Sequence, residues 1–304
     1  MKKSFVTLLL TFALLLTAGS ILILAKDNDS LHGKPEPQAA GIHWAKGNGP
    51  GQGGRSPKTP NLSWHGGPIM VSAQVKAIFW GTGWADPGQQ DKINGLDSFY
   101  SGMGGTGYDR TSDEYTAATQ TVTDAITYNG HVIDTSQATG GGSTSAILSK
   151  VCKMISNPTP NGYYPVYVDI GRGNAGYCAW HSAGSCGGVI VQFAFFFNLD
   201  GDVGCDPRDN TSGHSEGLAA LANVSGHELS EARTDPHLDA WYDNQGQENS
   251  DKCAWSFGST LVPFSNGTSW KLQGNWSNSA YNSTNRGYNN LSGQKGCIDG
   301  GSFN

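Results

Sequence analysis

The chain has 304 residues, of which 14% are charged and 43 are glycine, and its formal net charge is −6. A weakly acidic chain argues against nucleic acid as a partner, because nucleic-acid binding calls for basic patches. The many glycines and few charges instead indicate an extracellular protein with long loops.

The N-terminus has the layout of a secretory signal. Lys2 and Lys3 precede an apolar run from Phe5 to Ala25, and charged residues follow that run. A cut after Ala25 would remove residues 1–25 as a signal peptide, which predicts a secreted, extracellular protein with no stable membrane insertion. The run is also long enough, at about 20 residues, to serve as an uncleaved membrane anchor.

Residues 26–60 contain many Gly, Pro and charged residues and almost nothing that could form a core. This composition predicts a flexible linker or a pro-segment. Residues 61–304 are then predicted to form a single domain, although two small lobes that share a cleft would also fit the length.

Secondary structure is predicted from hydrophobic periodicity and turn residues. In chain order, we expect a strand over 68–81, helices over 90–102, 113–127 and 143–156, strands over 163–170 and 187–197, and a helix over 215–233. Pro236 ends that last helix. From about residue 244, short strands and ordered loops are expected. This order of elements predicts a mixed α/β (α+β) fold class.

All six cysteines follow the signal: Cys152, Cys178, Cys186, Cys205, Cys253 and Cys297. An even number of cysteines in an exported chain predicts up to three disulfides. The sequence leaves the pairing open, and Cys178 with Cys186 and Cys253 with Cys297 are guesses from proximity in sequence. The second pair would pin the loop-rich C-terminal part.

The segment HELSEARTDPH, residues 227–237, has the spacing of a metal site on a helix. His227 and Glu231 are one turn apart, so their side chains can hold the same metal ion. Glu228 lies where the general base of a metal-dependent hydrolase stands. On a helical wheel, His227 and Glu231 lie about 150° from a stripe of apolar residues that would face the core. That stripe consists of Leu218, Leu221, Ala222, Leu229 and Ala232.

A catalytic zinc ion needs a third protein ligand. His237 is the first candidate, because HELSEARTDPH resembles the metzincin protease motif, in which the third ligand lies at the same interval. Here Glu231 replaces a histidine, Thr234 replaces the glycine of that motif, and the Met-turn is missing. Glu248 is the gluzincin-like alternative. Other candidates are Asp235, Asp239, Asp243, His181 and His214.

Zinc is the expected metal, although mixed His and carboxylate ligation also admits calcium or manganese. Two weaker patterns remain. Asp200, Asp202 and Asp206 have a spacing that could serve calcium, without the glutamate of an EF-hand loop. Asp109, Asp113 and Glu114 could hold a glycosidase carboxylate pair. All of these acids could equally be solvated surface groups.

Three segments resemble the phosphate-induced, EXORDIUM-like family: residues 64–84 (WHGGPIMVSAQVKAIFWGTGW), 176–182 (GYCAWHS) and 228–255. The last segment is similar to microbial members, in which a helix with His-Glu is followed by Thr-Asp-Pro and Ala-Trp-Tyr-Asp. Plant members are secreted cell-wall proteins tied to growth and brassinosteroid response, and their equivalent helix lacks the His-Glu pair. The resemblance therefore implies secretion and a shared fold, but no established enzyme activity.

These patterns predict an exported, zincin-like metallohydrolase with a mixed sheet and an active-site helix. It would be a zinc peptidase in which His227, Glu231 and His237 bind zinc and Glu228 is the general base. Its substrate would be a polypeptide or a cell-envelope component. The alternative is a non-catalytic extracellular or cell-surface protein with a structural or vestigial metal site.

Overall fold

The computed structural model describes residues 40–49, 61–283 and 294–300. The predicted signal peptide, residues 1–25, and most of the predicted linker, 26–60, lie outside these residues. Within the described ranges, no helix has the length and apolar character needed to cross a bilayer.

A six-stranded mixed sheet forms the centre of the fold. Its strands are β1 (Ala40–Trp44), β2 (Ala73–Trp80), β3 (Ile126–Asp134), β4 (Gly162–Gly171), β5 (Tyr177–Cys186) and β6 (Val189–Asn198). Their order across the sheet is β1-β5-β6-β4-β2-β3. Strands β6, β4, β2 and β3 run parallel to one another, whereas β5 is antiparallel to both β1 and β6. The predicted mixed α/β class is confirmed.

In the described part of the chain, four α-helices accompany the sheet: α1 (Gln90–Met103), α2 (Thr144–Met154), α3 (Glu216–Thr234) and α4 (Asn278–Asn282). The first three confirm the helices predicted at 90–102, 143–156 and 215–233. Ser215 begins α3, since its hydroxyl accepts a hydrogen bond from the Leu218 N–H, as an N-cap residue should.

Helices α2 and α3 pack on opposite faces of β5. Gly184 lies against Leu148 of α2, since a Cβ at Gly184 would fall 2.3 Å from Leu148 Cδ2. His181 lies against Glu231 of α3. Residues 181 and 184 are an odd number apart on one strand, so their side chains point to opposite faces of the sheet. Strand β5 therefore contributes one of its faces to the neighbourhood of α3.

Three parts of the secondary structure differ from the sequence prediction. The helix predicted at 113–127 is wrong, because Thr116–Ala117 and Gln120–Thr121 pair as a short hairpin and β3 then begins. Threonine is β-branched and favours strands over helices, which explains the difference. Strands β3 and β5 were not predicted. Strand β1 lies inside the predicted linker, so that prediction is corrected for residues 40–44.

The structure has three disulfides: Cys152–Cys186, Cys178–Cys205 and Cys253–Cys297. The last confirms the guessed pair. The guess of Cys178 with Cys186 is wrong, because both residues lie on β5. A strand rises about 3.3 Å per residue, so these two Cα atoms are about 26 Å apart, far beyond the reach of a disulfide.

The C-terminal part has the predicted short strands and loops and also contains α4, which was not predicted. Val262–Pro263 pairs with Ser269–Trp270, and Asn275–Trp276 pairs with Cys297–Ile298. The Cys253–Cys297 disulfide joins the second pair to the short helical turn Asp251–Cys253. This turn lies beside α3, where the backbone N–H of Asp251 donates to Glu231.

Candidate metal centre

Helix α3 is buried on all sides. Every residue from Gly217 to Thr234 is buried, including His227, Glu228 and Glu231. The predicted core stripe is therefore only part of its buried surface. The polar face lies beneath β1, β5 and the C-terminal loops, so these polar groups are not solvated surface residues.

His227 and Glu231 meet as the sequence predicts. His227 Nε2 is 3.0 Å from Glu231 Oε1 and 3.6 Å from Asp251 Oδ1. On the other side of the ring, His227 Nδ1 is 2.8 Å from His43 Nδ1 and 2.6 Å from Gln273 Nε2. Gln273 Nε2 thus donates to Nδ1, and Nε2 is directed at the two carboxylates.

A second set of donors lies on the other side of Glu231. His181 Nε2 is 3.7 Å from Glu231 Oε2 and 3.3 Å from Glu248 Oε2. Donor atoms of His181, Glu228 and Glu231 all lie within 4.8 Å of one another, and so do those of His227, Glu231 and Asp251. Glu231 belongs to both groups. We call the residues of these contacts the α3 cluster: His43, His181, His227, Glu228, Glu231, Glu248 and Asp251.

Strand β1 packs directly on the α3 cluster. Gly41 has φ +52°, and a Cβ there would lie 2.1 Å from His181 Nε2 and 2.2 Å from Glu231 Oε2. A glycine is required at this position because only backbone without a side chain can approach the two donors so closely. His43, two residues later, brings its ring to His227 with centroids 4.1 Å apart.

Several polar atoms of the α3 cluster are buried without a hydrogen-bond partner of normal geometry. They are His43 Nε2, His181 Nδ1, His227 Nε2, both oxygens of Glu228, Glu231 Oε2 and Glu248 Oε1. Buried polar groups are nearly always hydrogen-bonded, so a concentration of exceptions in one place requires a specific explanation. A bound cation is such an explanation.

The cluster has four carboxylates, and no Lys or Arg of the described residues forms an ion pair with any of them. The two nearest cations in the sequence pair elsewhere. Arg233 Nη1 lies 2.5 Å from Asp109 Oδ1, and Lys252 Nζ lies 2.7 Å from Asp243 Oδ2. Protein groups thus leave the negative charge of the cluster uncompensated.

Burial sets the protonation of the α3 cluster. It raises the pKa of Glu228 well above its usual value, and Glu231 and Asp251 raise that pKa further. Burial also raises the pKa of Glu231, Glu248 and Asp251. The same burial lowers the pKa of His181 and His227 to about 3. Both imidazoles are therefore neutral at physiological pH, which is the form that binds a metal ion.

His227 and Glu231 lie close enough to contact one metal ion. Two ligands of one tetrahedral ion, each 2.0 to 2.2 Å from it, lie about 3.3 to 3.6 Å apart. His227 Nε2 and Glu231 Oε1 are 3.0 Å apart, so they would have to separate slightly to share an ion. Nε2 makes no hydrogen bond of normal geometry that would oppose this movement.

Other predicted ligands lie elsewhere. His237 is exposed and belongs to neither donor group, since the chain turns outward after Pro236. Asp235 accepts hydrogen bonds of 2.7 Å from the N–H groups of Asp239 and Ala240, so it fixes a turn. Asp243 pairs with Lys252, and His214 stacks on Trp270.

The two weaker patterns also have structural explanations. Asp109 forms the buried pair with Arg233. Asp202 pairs with Arg172 Nε at 2.6 Å, and Asp200 lies 3.1 Å from Lys92 Nζ. These acids have cationic partners, unlike those of the α3 cluster.

Sequence reasoning missed Asp251 and His43. Asp251 follows Glu248 by three residues, a spacing that could have marked both as ligands. His43 has no such signal, because it lies in a segment whose composition resembles a linker. Only the pairing of β1 with β5 brings it to the cluster.

Comparison with protein-family models, with curated proteins and with solved structures finds no match for this chain. The resemblance to the EXORDIUM-like family therefore stays a prediction. Functional conclusions rest on the geometry of the α3 cluster.

Proposed function

We propose that the chain is an exported metal-dependent hydrolase that cleaves peptide bonds and uses zinc. One observation carries this proposal: the donors of the α3 cluster converge, several of them buried without a hydrogen-bond partner of normal geometry, and no Lys or Arg of the described residues pairs with them. Neutral imidazole and carboxylate are both ordinary zinc ligands. His227, Glu231 and Asp251 would hold the ion, so Asp251 replaces His237, the third ligand predicted from the spacing.

Glu228 is the proton acceptor in this proposal. It neighbours His227 on α3, and neither of its oxygens has a hydrogen-bond partner of normal geometry. A zinc ion supplies a Lewis acid that polarises the peptide carbonyl and acidifies water. As water adds to the carbonyl carbon, Glu228 accepts its proton. When the C–N bond breaks, Glu228 passes that proton to the leaving amine nitrogen.

The first test is the metal content of the purified protein. After dialysis against zinc and removal of free ion, elemental analysis should give at least one zinc per chain. A protein that holds no stoichiometric zinc or other divalent ion would refute the proposal. Glu231→Gln should lose the metal, whereas Glu216→Gln should keep it, because Glu216 is an exposed residue on the same helix.

The second test separates metal binding from catalysis. Glu228→Gln should retain at least one zinc per chain and lose casein cleavage by about 100-fold or more, because a general base contributes at least that factor. Glu216→Gln is again the matched control. A Glu228→Gln protein as active as the unchanged protein would remove Glu228 from the chemistry.

A zincin-like fold and kinship with the EXORDIUM-like family are parts of this proposal. The supporting features are the helix with His227 and Glu231 in a mixed α/β fold and the three segments that resemble the family. The three disulfides support an oxidising, extracellular location. A polypeptide or a cell-envelope component would then be the substrate.

A second candidate function is a non-catalytic extracellular protein with a structural metal ion. Complete burial favours it, because His227, Glu228 and Glu231 have no exposed surface for a substrate to contact. Structural zinc sites are closed in this way, whereas catalytic sites keep one open position. A protein that binds zinc and is stabilised by it, but cleaves no polypeptide, would identify this second function.

A further inference from the structure

We propose that the α3 cluster binds two divalent metal ions, bridged by the carboxylate of Glu231. This inference rests on the proposed metal centre and gives it a stoichiometry. The bound ions are transition-metal ions such as Zn²⁺ and Mn²⁺, because the protein donors are imidazole nitrogens together with carboxylate oxygens.

The two oxygens of Glu231 face different partners. Oε1 is 3.0 Å from His227 Nε2 and accepts the Asp251 N–H at 2.9 Å. Oε2 faces His181 Nε2 at 3.7 Å and has no hydrogen-bond partner of normal geometry. A carboxylate with one oxygen directed at each of two histidines has the arrangement of a bridging ligand.

Apart from Glu231, the two donor groups share no residue. His227 and Asp251 complete the first group, and His181 and Glu228 complete the second. Glu248 extends the second group, since its Oε2 is 3.3 Å from His181 Nε2 and its Oε1 is unpartnered. Each group therefore has the three protein ligands that a metal ion commonly requires.

The charge of the cluster is compatible with two ions. Glu228, Glu231, Glu248 and Asp251 together carry four negative charges when ionised, and burial opposes that charge. One divalent ion would leave two charges uncompensated, whereas two divalent ions would balance all four. The adjacent cations Arg233 and Lys252 pair with other acids.

A two-ion centre is compatible with the role of Glu228. Neither Glu228 oxygen has a hydrogen-bond partner of normal geometry, although the His43 backbone N–H lies near this carboxylate, so one oxygen can bind the second ion while the other remains a proton acceptor. In two-metal hydrolases the ions lie about 3.5 to 4 Å apart. A single bridging carboxylate spans such a separation because each oxygen binds a different ion.

The test is a titration of the metal-free full chain with Mn²⁺, read by elemental analysis and by electron paramagnetic resonance. The unchanged protein should bind two Mn²⁺ per chain, and the bound pair should show a spin-coupled spectrum. Binding of one ion per chain at saturation would overturn the inference, and so would two ions without spin coupling.

Two variants show which donor group binds which ion, and both keep the bridging residue Glu231. Asp251→Asn should bind one Mn²⁺ with loss of the coupled signal, and Glu248→Gln should weaken only the second ion. Circular dichroism shows whether each variant is folded. If a variant does not fold, the titration of the unchanged protein still tests the inference. Both variants still binding two coupled ions with unchanged affinity would count against the assignment.

The outcomes distinguish this inference from the function on which it rests. One bound ion together with casein cleavage would sustain the hydrolase and refute the second ion. No bound ion would refute both. Two coupled ions without cleavage would sustain the two-ion site and favour the non-catalytic function.

Discussion

Helix α3 carries two kinds of buried charge within one turn. Arg233 and Asp109 form a pair with no exposed surface on either side chain. Arg233 also donates to the carbonyl oxygens of Asp109 at 3.1 Å and Thr123 at 2.7 Å. Two residues earlier, Glu231 lies in the α3 cluster among other carboxylates, and its Oε2 has no hydrogen-bond partner of normal geometry.

The two cases differ in how the buried charge is balanced. In the Arg233–Asp109 pair it is balanced within the protein, whereas in the α3 cluster it is available to bind a ligand. A buried charge is tolerated when an opposite charge and hydrogen bonds satisfy it. The Arg233 pair has the opposite charge within the protein, although Arg233 Nε and Asp109 Oδ1 lack a hydrogen-bond partner of normal geometry. Among the described residues the α3 cluster has no such opposite charge, so its carboxylates are neutral through protonation or are balanced by an external cation. The difference predicts opposite responses to mutation and to metal.

The largest effect should come from breaking the internal pair. Arg233→Met leaves Asp109 buried without its counter-charge and should lower the free energy of unfolding by about 3 to 5 kcal/mol, measured by urea denaturation. The double variant Arg233→Met with Asp109→Leu should recover most of this loss. A cost below about 1 kcal/mol would mean that this pair contributes no more than a surface salt bridge.

Zinc should stabilise the protein through the α3 cluster alone and not through the Arg233–Asp109 pair. At free zinc 1,000 times the dissociation constant, the free energy of unfolding should rise by about 4 kcal/mol, because the ion binds only the folded chain. Arg233→Met should show the same increment, and Glu231→Gln should show almost none. An equal increment in Glu231→Gln would place the metal outside the α3 cluster.

Gly41→Ala tests the close packing of β1 on the cluster. The new Cβ would meet His181 and Glu231, so we expect a loss of about 1 to 3 kcal/mol in stability and a smaller zinc increment. Gly47→Ala is the matched control: its φ is +82° but nothing lies within 4 Å of its Cβ. If both variants keep the full zinc increment, β1 does not constrain the metal ligands.

Glu248→Gln should have a smaller effect on stability. Its sign should differ between the metal-free and the metal-bound protein. Without metal, loss of a buried carboxylate near other acids should raise the free energy of unfolding by about 1 kcal/mol. With zinc or manganese, the variant should gain less stability than the unchanged protein. The exposed Glu216→Gln should change either quantity by no more than about 0.5 kcal/mol. Destabilisation of the metal-free Glu248→Gln protein would show that Glu248 already has a stabilising partner.

Metal binding by the α3 cluster should also depend on pH. Burial raises the pKa of Glu231, Glu248 and Asp251, so protons compete with the metal for these groups. Apparent metal affinity should therefore fall as pH falls, and binding should release protons. His181 and His227, with pKa values lowered to about 3, are already neutral above pH about 5 and release none. Calorimetry in buffers of different ionisation enthalpy measures the release. Metal binding without proton release near pH 6 would contradict these raised carboxylate pKa values.

Much of the fold could be predicted where periodicity is local. The stripe of α2, the β-branched run of β6 and the Ser215 cap of α3 all lie within one segment of sequence. Prediction failed where neighbours decide the conformation. Residues 113–127 contain threonines that pair as strands, and β1 is ordered because β5 supplies its hydrogen bonds.

The centre of the candidate site follows from local sequence spacing alone. An α-helix brings residues four apart onto one face, so His227 and Glu231 had to meet once α3 formed. The remaining donors were decided by tertiary structure. His43 comes from 184 residues before His227, and Glu248 from 67 residues after His181. Sequence spacing does not determine such contacts, because strand pairing and loop packing decide which distant segments meet. His237 shows the converse: it lies at a familiar interval after His227, yet the turn at Pro236 leaves it exposed.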